Sequence, residues 1–259
     1  MNKKVLYKLP HMFKDHKGKT RKDSFEKYVV PEDQDFNFSA GIIKKEDLKK
    51  EGIINVNKHE VSIFNTSFND EYSKIKRGAQ TIVKKDIGPI ITKTGMTRHT
   101  KVIDAGAGSG GLSCFLGSIV KKVDTYDVVE KNVELVKKNI EKLKLDNVKV
   151  ELKDIYESDN FQDEYDVFTL DVPEPWRAWE TATKVLKIGG YFVVYSPNIG
   201  QIRETILNKP QYFYKEEIIE VIEREWSINE KVSRPVTKDF SHTAFLAFFR
   251  KIGKPPEQN

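Results

Sequence analysis

The stretch "FTLDVPEPW", residues 168–176, sets a carboxylate where few strands carry one. The strand-like run Val167 to Leu170 delivers Asp171, and Pro173 and Pro175 follow on either side of Glu174. Proline cannot donate to a sheet ladder, so the strand must stop near Asp171. Two further strand-like segments end the same way: "DTYDVV" places Asp127 at its end, and "LKDIYE" places Asp154. Any one of these could be a helix cap or a turn former. Acidic residues closing successive parallel strands all reach the crevice at the sheet's carboxyl edge, and together they fit a nucleoside site better. At the second strand an acidic side chain can accept hydrogen bonds from the ribose hydroxyls of a bound nucleoside.

Ahead of these lies "VIDAGAGSGG", residues 102–111, with Gly106, Gly108, Gly110 and Gly111 between a strand and a helix. Glycines there permit a tight turn and close approach of the backbone to a ligand. The spelling satisfies two templates. Gly106, Gly108 and Gly111 fit the dinucleotide pattern G-x-G-x-x-G, whereas Asp104 with Gly106 and Gly108 gives the D-x-G-x-G of loops that bind S-adenosylmethionine. A structural glycine turn is the third reading, and the loop by itself does not choose.

The elements that must position these residues follow a regular rhythm from residue 100 onward. "KVIDAG", "KVDTYDVV", "VKVELKDI", "YDVFTLDV" and "YFVVYSP" read as strands, and "GLSCFLGSIV" and "WRAWETATKVLK" as helices. In "EKNVELVKKNIEKLKL", Val133, Val136, Ile140 and Leu143 recur at spacings of three and four, which puts them on one helical face. Gly189 and Gly190 are expected to stop the helix before the fifth strand. This alternation predicts an α/β fold, a parallel sheet with helices on both faces. The segments "EEIIEVIEREWSI" and "HTAFLAFFRK" break the rhythm and are expected to pair as an antiparallel sheet edge. Residues 1–72 differ: "GII", "GIINV" and "EVSIFN" lie between turn-rich stretches and suggest a small β-rich domain ahead of the main domain, residues 73–259.

Composition narrows the partners. With 259 residues, 32% of them charged, and no window near the ~20 apolar residues of a membrane span, the chain reads as soluble and intracellular, with no membrane partner. One cysteine, Cys114, excludes an intrachain disulfide framework, and His11, His16, His59 and His99 show no metal-ligand spacing, so no metal is expected. The net charge of +5 permits a polyanionic partner without requiring one. The first thirty residues hold nine Lys and Arg against three Asp and Glu, and the first forty make a candidate basic, RNA-contacting element. "KIKRGAQTIVKK" is a second basic stretch.

The segments "RGAQTIVKKD", "VIDAGAGSGGLSCFL", "LKDIYE", "LDVPEPW", "YFVVYSPN" and "RPVTKDFSHTAFLAFFRK" together resemble the archaeal and bacterial tRNA 1-methyladenosine methyltransferases that act in the T-loop. "LDVPEPW" and "RPVTKDFSHTAFL" are the most specific of them. The resemblance implies a Rossmann-like class I methyltransferase domain behind a small β domain, S-adenosylmethionine as cofactor, tRNA as substrate, a homotetramer and a cytoplasmic location. Carried over by position, Gly106, Gly108, Ser109, Gly110, Gly111 and Leu112, with Asp104 of the same motif, hold the methionine part. Asp127 holds the ribose, Asp154 meets the adenine, and Asp171 is the catalytic aspartate. One departure stands out: Val83-Lys84 precede Lys85-Asp86, where relatives carry an aromatic residue or histidine followed by proline. Trp176 is a candidate base-stacking residue, Trp179 and Cys114 are expected in the core, and His242 is expected in a structural or RNA-orienting role. The rivals are a class I methyltransferase with another substrate, a nicotinamide oxidoreductase, and a non-catalytic RNA-binding subunit of a methyltransferase complex.

Overall fold

The structure, a computed structural model, describes residues 2–78, 81–237 and 242–256. Ala79 and Gln80 of "RGAQTIVKKD" and Lys238 to Ser241 of "RPVTKDFSHTAFL" lie outside the described residues. The chain divides into two compact units, Met1–Ile75 and Lys76–Asn259.

The second unit is built on seven strands: β1 (Lys101–Ala105), β2 (Lys122–Asp127), β3 (Val148–Leu152), β4 (Tyr165–Leu170), β5 (Leu186–Ser196), β6 (Phe213–Glu220) and β7 (Phe245–Lys251). Their order across the sheet is β3-β2-β1-β4-β5-β7-β6, parallel from β3 to β5, with β7 antiparallel to both its neighbours. Helices α1 (Lys84–Thr94), α2 (Gly111–Gly117), α3 (Glu130–Leu143), α4 (Trp179–Val185) and α5 (Ile199–Leu207) accompany them. Successive strand residues point to opposite faces. Ile103, Phe168 and Phe192 enter one core with Trp179 and Phe249, while Val102, Val167 and Val193 enter another with Leu116 and Phe248. Strands covered on both faces read as largely apolar runs, as "YFVV" does and as "VFTL" does apart from Thr169. The expected antiparallel pairing at the C-terminal edge is present, with β7 inserted between β5 and β6.

Gly189 and Gly190 do not stop a helix. Helix α4 ends at Val185 because Leu186 is already extended and paired with Tyr165, and the glycines lie inside β5. The register jumps from Tyr165–Leu186 to Val167–Tyr191, a bulge in which Gly189 takes φ +85°. Helix α5, which the apolar spacing had not announced, starts on Asn198, whose side chain accepts from the Gly200 amide at 2.7 Å.

In the first unit, strands Glu26–Pro31, Lys3–Lys8, His59–Asn65 and Gly52–Val56 form an antiparallel sheet in that order over Leu6, Val30, Ile43, Leu48, Val61 and Ile63. Several of the cations counted as an RNA-contacting element belong to its scaffold. Lys4 and Lys8 are buried, Lys4 against Asn65 Oδ1 at 2.6 Å, and Lys8 between Asp23 at 3.1 Å and Glu26 at 2.5 Å. Lys3 pairs with Glu71, Arg21 with Asp15 and Lys27 with Asp70. Such lysines neutralise neighbouring carboxylates and are spent within the fold. Lys14, Lys17, Lys19 and Lys22, on and around the exposed hairpin Met12–Lys14/Thr20–Lys22, enter no ion pair among the described residues.

Candidate functional site

The sheet order reverses direction between β1 and β4, which makes the carboxyl ends of those strands the expected ligand crevice. A cleft of about 660 Å³ opens there. Ala105, Gly106 and Gly108 line it after β1, Tyr126 and Asp127 at β2, Asp154 and Tyr156 after β3, Asp171 and Pro173 after β4, and Pro197 and Gln201 after β5.

The loop after β1 folds against the ends of two neighbouring strands. Gly106 N and Ala107 N both donate to the Tyr126 carbonyl, at 3.0 and 3.1 Å. Gly108 N donates to Asp127 Oδ2 at 2.9 Å. Asp127 also accepts from Val129 N at 2.9 Å and Asn132 Nδ2 at 3.1 Å. A carboxylate offers about four acceptor positions, so three are filled and one remains, on Oδ1. A donor entering the cleft thus meets one open acceptor position on Asp127.

Asp154 accepts from its own loop, at Tyr156 N, 2.9 Å from Oδ1. Its other oxygen has no partner among the described residues. It is therefore a turn former and an open acceptor at once.

Asp171 is half-buried, its backbone N–H held by the Ala105 carbonyl at 2.9 Å. No donor among the described residues reaches its carboxylate. Burial, and secondarily the charge of Asp104, push its pKa up to about 7. Asp104 is deeper still. Thr125 and Thr169, its register partners on β2 and β4, donate to its two oxygens at 2.6 and 2.7 Å. Burial lifts its pKa to about 6 in spite of those bonds. Negative charge on Asp104 therefore resists ionisation of Asp171.

Of the ten residues that the sequence nominated, Gly106, Gly108, Asp127, Asp154 and Asp171 line the cleft, and the other five build it from behind. Asp104 acts on the cleft through its charge, since its oxygens face the two threonines. Ser109 bonds Thr81 Oγ1 at 2.9 Å, and its carbonyl accepts from Asn139, which also grips Lys76 N and O. Gly110 has φ +75°, and a Cβ there would come within 3.1 Å of Val136. Gly111 opens α2, and Leu112 is buried in the core. Cys114 is buried, its thiol pushed up to about 12 chiefly by burial, so it is no nucleophile. Trp179 packs on Phe192, Phe213 and Phe249 at 4.9–5.1 Å and belongs to the core.

Three residues of the cleft carried no sequence signal: Asn132 and Gln201, polar residues in the first turns of α3 and α5, and Tyr156 in the loop after β3. Lys85 and Asp86 form a network: Lys85 Nζ reaches Asp86 Oδ1, the Val221 carbonyl and Thr243 Oγ1 at 2.6–2.7 Å, and Thr243 donates to Asp86 Oδ2 at 2.7 Å. It fastens the start of α1, where Val83 is the exposed N-cap, to the beginning of β7. His242 bridges Glu220 Oε1 at 2.6 Å and the Pro197 carbonyl at 3.0 Å. Both of its ring nitrogens face acceptors, and Glu220 foremost raises its pKa.

A parallel sheet with an antiparallel β7 inserted before β6, bearing a glycine loop and acidic strand ends around one cleft, defines a class I methyltransferase. Solved structures share the whole architecture. A SAM-dependent O-methyltransferase from Thermotoga maritima superposes with a TM-score of 0.75 at 26% identity, covering 98% of this chain and 94% of that one. The tRNA (m1A58) methyltransferase TrmI from Aquifex aeolicus has the same fold, with a TM-score of 0.74 at 24% identity and 97% of each chain covered. The methyl donor of this class is S-adenosylmethionine, and the cleft suits it: glycine backbone at one end, an acceptor for a ribose hydroxyl, and a second acidic strand end beyond.

The chain belongs to the family described as "tRNA methyltransferase complex GCD14 subunit", which matches residues 73–232. It is 30% identical to the tRNA (adenine(57)-N(1)/adenine(58)-N(1))-methyltransferase TrmI of Methanocaldococcus jannaschii, over 86% of this chain and 89% of that protein. It is 29% identical to the tRNA (adenine(58)-N(1))-methyltransferase TrmI of Thermus thermophilus, over 93% and 96%.

Proposed function

We propose that this protein transfers a methyl group from S-adenosylmethionine to N1 of an adenosine in the T-loop of tRNA, with Asp171 as the catalytic residue. The observation that carries the reading is a carboxylate at the switch point of the sheet that opens on the cleft and has no donor among the described residues.

The cofactor supplies an electrophilic methyl group on a sulfonium. N1 of neutral adenine carries a lone pair, so no proton has to leave before the attack, and the protein's work is positioning and charge stabilisation. Asp171 accepts a hydrogen bond from the exocyclic amino group, which orients the ring, and its charge stabilises the cation that forms there. N1 lies on the Watson–Crick edge, so the base must be unpaired and turned into the cleft. Gly106 and Gly108 let the backbone approach the methionine part, Asp127 takes a ribose hydroxyl, and Asp154 meets the adenine. Ser109, Gly110, Gly111 and Leu112 hold that loop in shape.

Asp127→Asn is expected to raise the Kd for S-adenosylmethionine about tenfold or more by calorimetry, the value of a charge-assisted hydrogen bond. A change under twofold would remove Asp127 from the ribose.

The same reading makes tRNA the polyanionic partner and the cytoplasm the place of action. The unpaired lysines support a contact in the first unit. Replacing Lys14, Lys17, Lys19 and Lys22 together by Ala should raise KM for tRNA several-fold, leave the Kd for S-adenosylmethionine unchanged, and reduce the slope of log affinity against log salt by about 3. An unchanged slope would clear the hairpin of RNA contact. A homotetramer is the assembly we assign. Exposed Ile222, Trp226 and Ile228, on and beside the hairpin Trp226–Ile228/Ser233–Pro235, support a self-association surface. Light scattering on the eluting protein gives the mass.

The deciding assay is incubation with S-adenosylmethionine and an unmodified tRNA transcript, followed by digestion and mass spectrometry for 1-methyladenosine. Cofactor binding without transfer to tRNA would leave a class I methyltransferase of another substrate. Absence of cofactor binding would favour a non-catalytic subunit.

A further inference from the structure

Among the described residues, the loop that follows Leu170 has one backbone tie to the sheet, the Asp171 amide on the Ala105 carbonyl. The next four residues are Val172, Pro173, Glu174 and Pro175, and the two prolines have no N–H. A loop so poor in donors cannot hold itself in place by backbone bonds. It is held from outside at two points. The Pro173 carbonyl accepts from Gln201 Nε2 at 2.6 Å, and the Glu174 amide donates to the Tyr156 hydroxyl at 3.2 Å.

The Gln201 amide is itself clamped. Ser196, the buried last residue of β5, donates to Gln201 Oε1, and its hydroxyl in turn accepts from Asn198 N at 3.2 Å. A carbonyl can only accept, so the amide nitrogen must face Pro173, and Ser196 fixes the oxygen on the other side. Gln201 therefore links the end of β5 and the first turn of α5 to the second residue after Asp171.

We propose that Gln201 is a positioning residue for Asp171: it sets where the carboxylate lies by holding the loop at Pro173, with Tyr156 as the second hold. This rests on the reading of Asp171 as the catalytic residue. Reactions that depend on aligned partners lose about a hundredfold for a misplacement of an ångström, so a lost clamp is felt in turnover rather than in cofactor affinity.

The test uses the full chain. Gln201→Met keeps length without a donor, and Gln201→Glu turns the donor into an oxygen that repels the Pro173 carbonyl. We expect kcat to fall about 10-fold in the first and about 100-fold in the second, with the Kd for S-adenosylmethionine within about threefold. The midpoint of the kcat–pH profile should also move to lower pH, because a freed loop lets water reach Asp171. In an Asp171→Asn background, Gln201→Met should cost no more than about twofold, since there is no carboxylate left to position. Ser196→Ala, which removes only the orienting hydroxyl, supplies a milder variant should Gln201→Glu fail to fold, with a kcat loss of about threefold expected.

If kcat stays within twofold in the Gln201 and Ser196 variants while Asp171→Asn is inactive, the clamp is overturned and the catalytic reading survives. A full loss from Gln201→Met on top of Asp171→Asn would overturn the clamp and put Gln201 on the substrate. Normal activity in Asp171→Asn would overturn the underlying reading, and the clamp with it.

Discussion

Asp171→Asn is expected to lower kcat by about 10²–10³-fold and, at pH 8, to make the protein more stable. The first effect follows from the proposed role of Asp171, whose charge would stabilise the developing cation, and has the size of a loss seen when a single preorganised electrostatic partner is removed. The second follows from the burial that prepares that charge. The ordinary carboxyl pKa of 3.8 is raised to about 7 in the fold, so between those values the folded state keeps a proton that the unfolded chain has released. Stability from this group is fully present below about pH 3.8 and is lost as pH rises through 7. At 1.36 kcal/mol per pH unit, the raised pKa of Asp171 costs at most about 4 kcal/mol at pH 8, where the folded carboxyl is ionised, and under about 2 kcal/mol at pH 5, where it must keep its proton. Asparagine has no such cost. Scanning calorimetry should therefore show a melting temperature raised on the order of 5 °C at pH 8 and by less than half of that at pH 5. A gain independent of pH would mean that Asp171 ionises freely in the fold. The same ionisation governs the wild-type rate, which should climb through about pH 7 and level off above it. An active site that costs the fold stability is the usual sign of a group held in its working environment against its own solvation.

The residues that the sequence revealed are those whose signal is local. β1 and β4 are covered on both faces, so Val102 and Ile103 in the first and Val167, Phe168 and Leu170 in the second are apolar, and the aspartates beside them, Asp104 within β1 and Asp171 just after β4, are conspicuous. The glycine loop showed itself through its spacing and left its ligand undecided; the neighbouring acidic ends narrowed the choice. What stayed hidden depends on pairing across the sheet. Asp104 spells the cofactor motif, yet its oxygens are taken by Thr125 and Thr169, which are brought level with it only by the registers of β2 and β4. Gln201 and Tyr156 act on backbone groups of a loop far away in sequence. Lys4 and Lys8 looked like part of a basic face because composition counts charges and cannot see the carboxylates folded against them. Gly189 and Gly190 have the spelling of a helix stop, and the strand bulge that uses them is set by pairing with β4.

Gly106→Ala is expected to disable the enzyme by a route that leaves every named side chain in place. Gly106 has φ +83°, and a Cβ built there would lie 1.9 Å from the backbone oxygen of Asp171 and 2.7 Å from its carbonyl carbon. No side chain can swing aside to relieve that contact, because both atoms belong to the main chain. The strand ends must separate, and the Asp171 amide bond to Ala105 goes with them. Two costs therefore add: about 1 kcal/mol for an alanine in left-handed backbone, and a steric cost of at least about 2 kcal/mol. Gly189 supplies the control, since it has φ +85° and nothing within 4 Å of its missing Cβ. Gly189→Ala should show the backbone cost alone, about 1 kcal/mol in urea unfolding, with kcat unchanged. Gly106→Ala should lose about 3 kcal/mol or more, and retain under about 1% of the activity wherever enough of it folds to be assayed. Equal stability losses in the two variants would show that Gly106 serves only its own dihedral angles. A larger loss in Gly106→Ala would mean that the glycine turn after β1 and the strand end carrying Asp171 fit together only across a residue without a side chain.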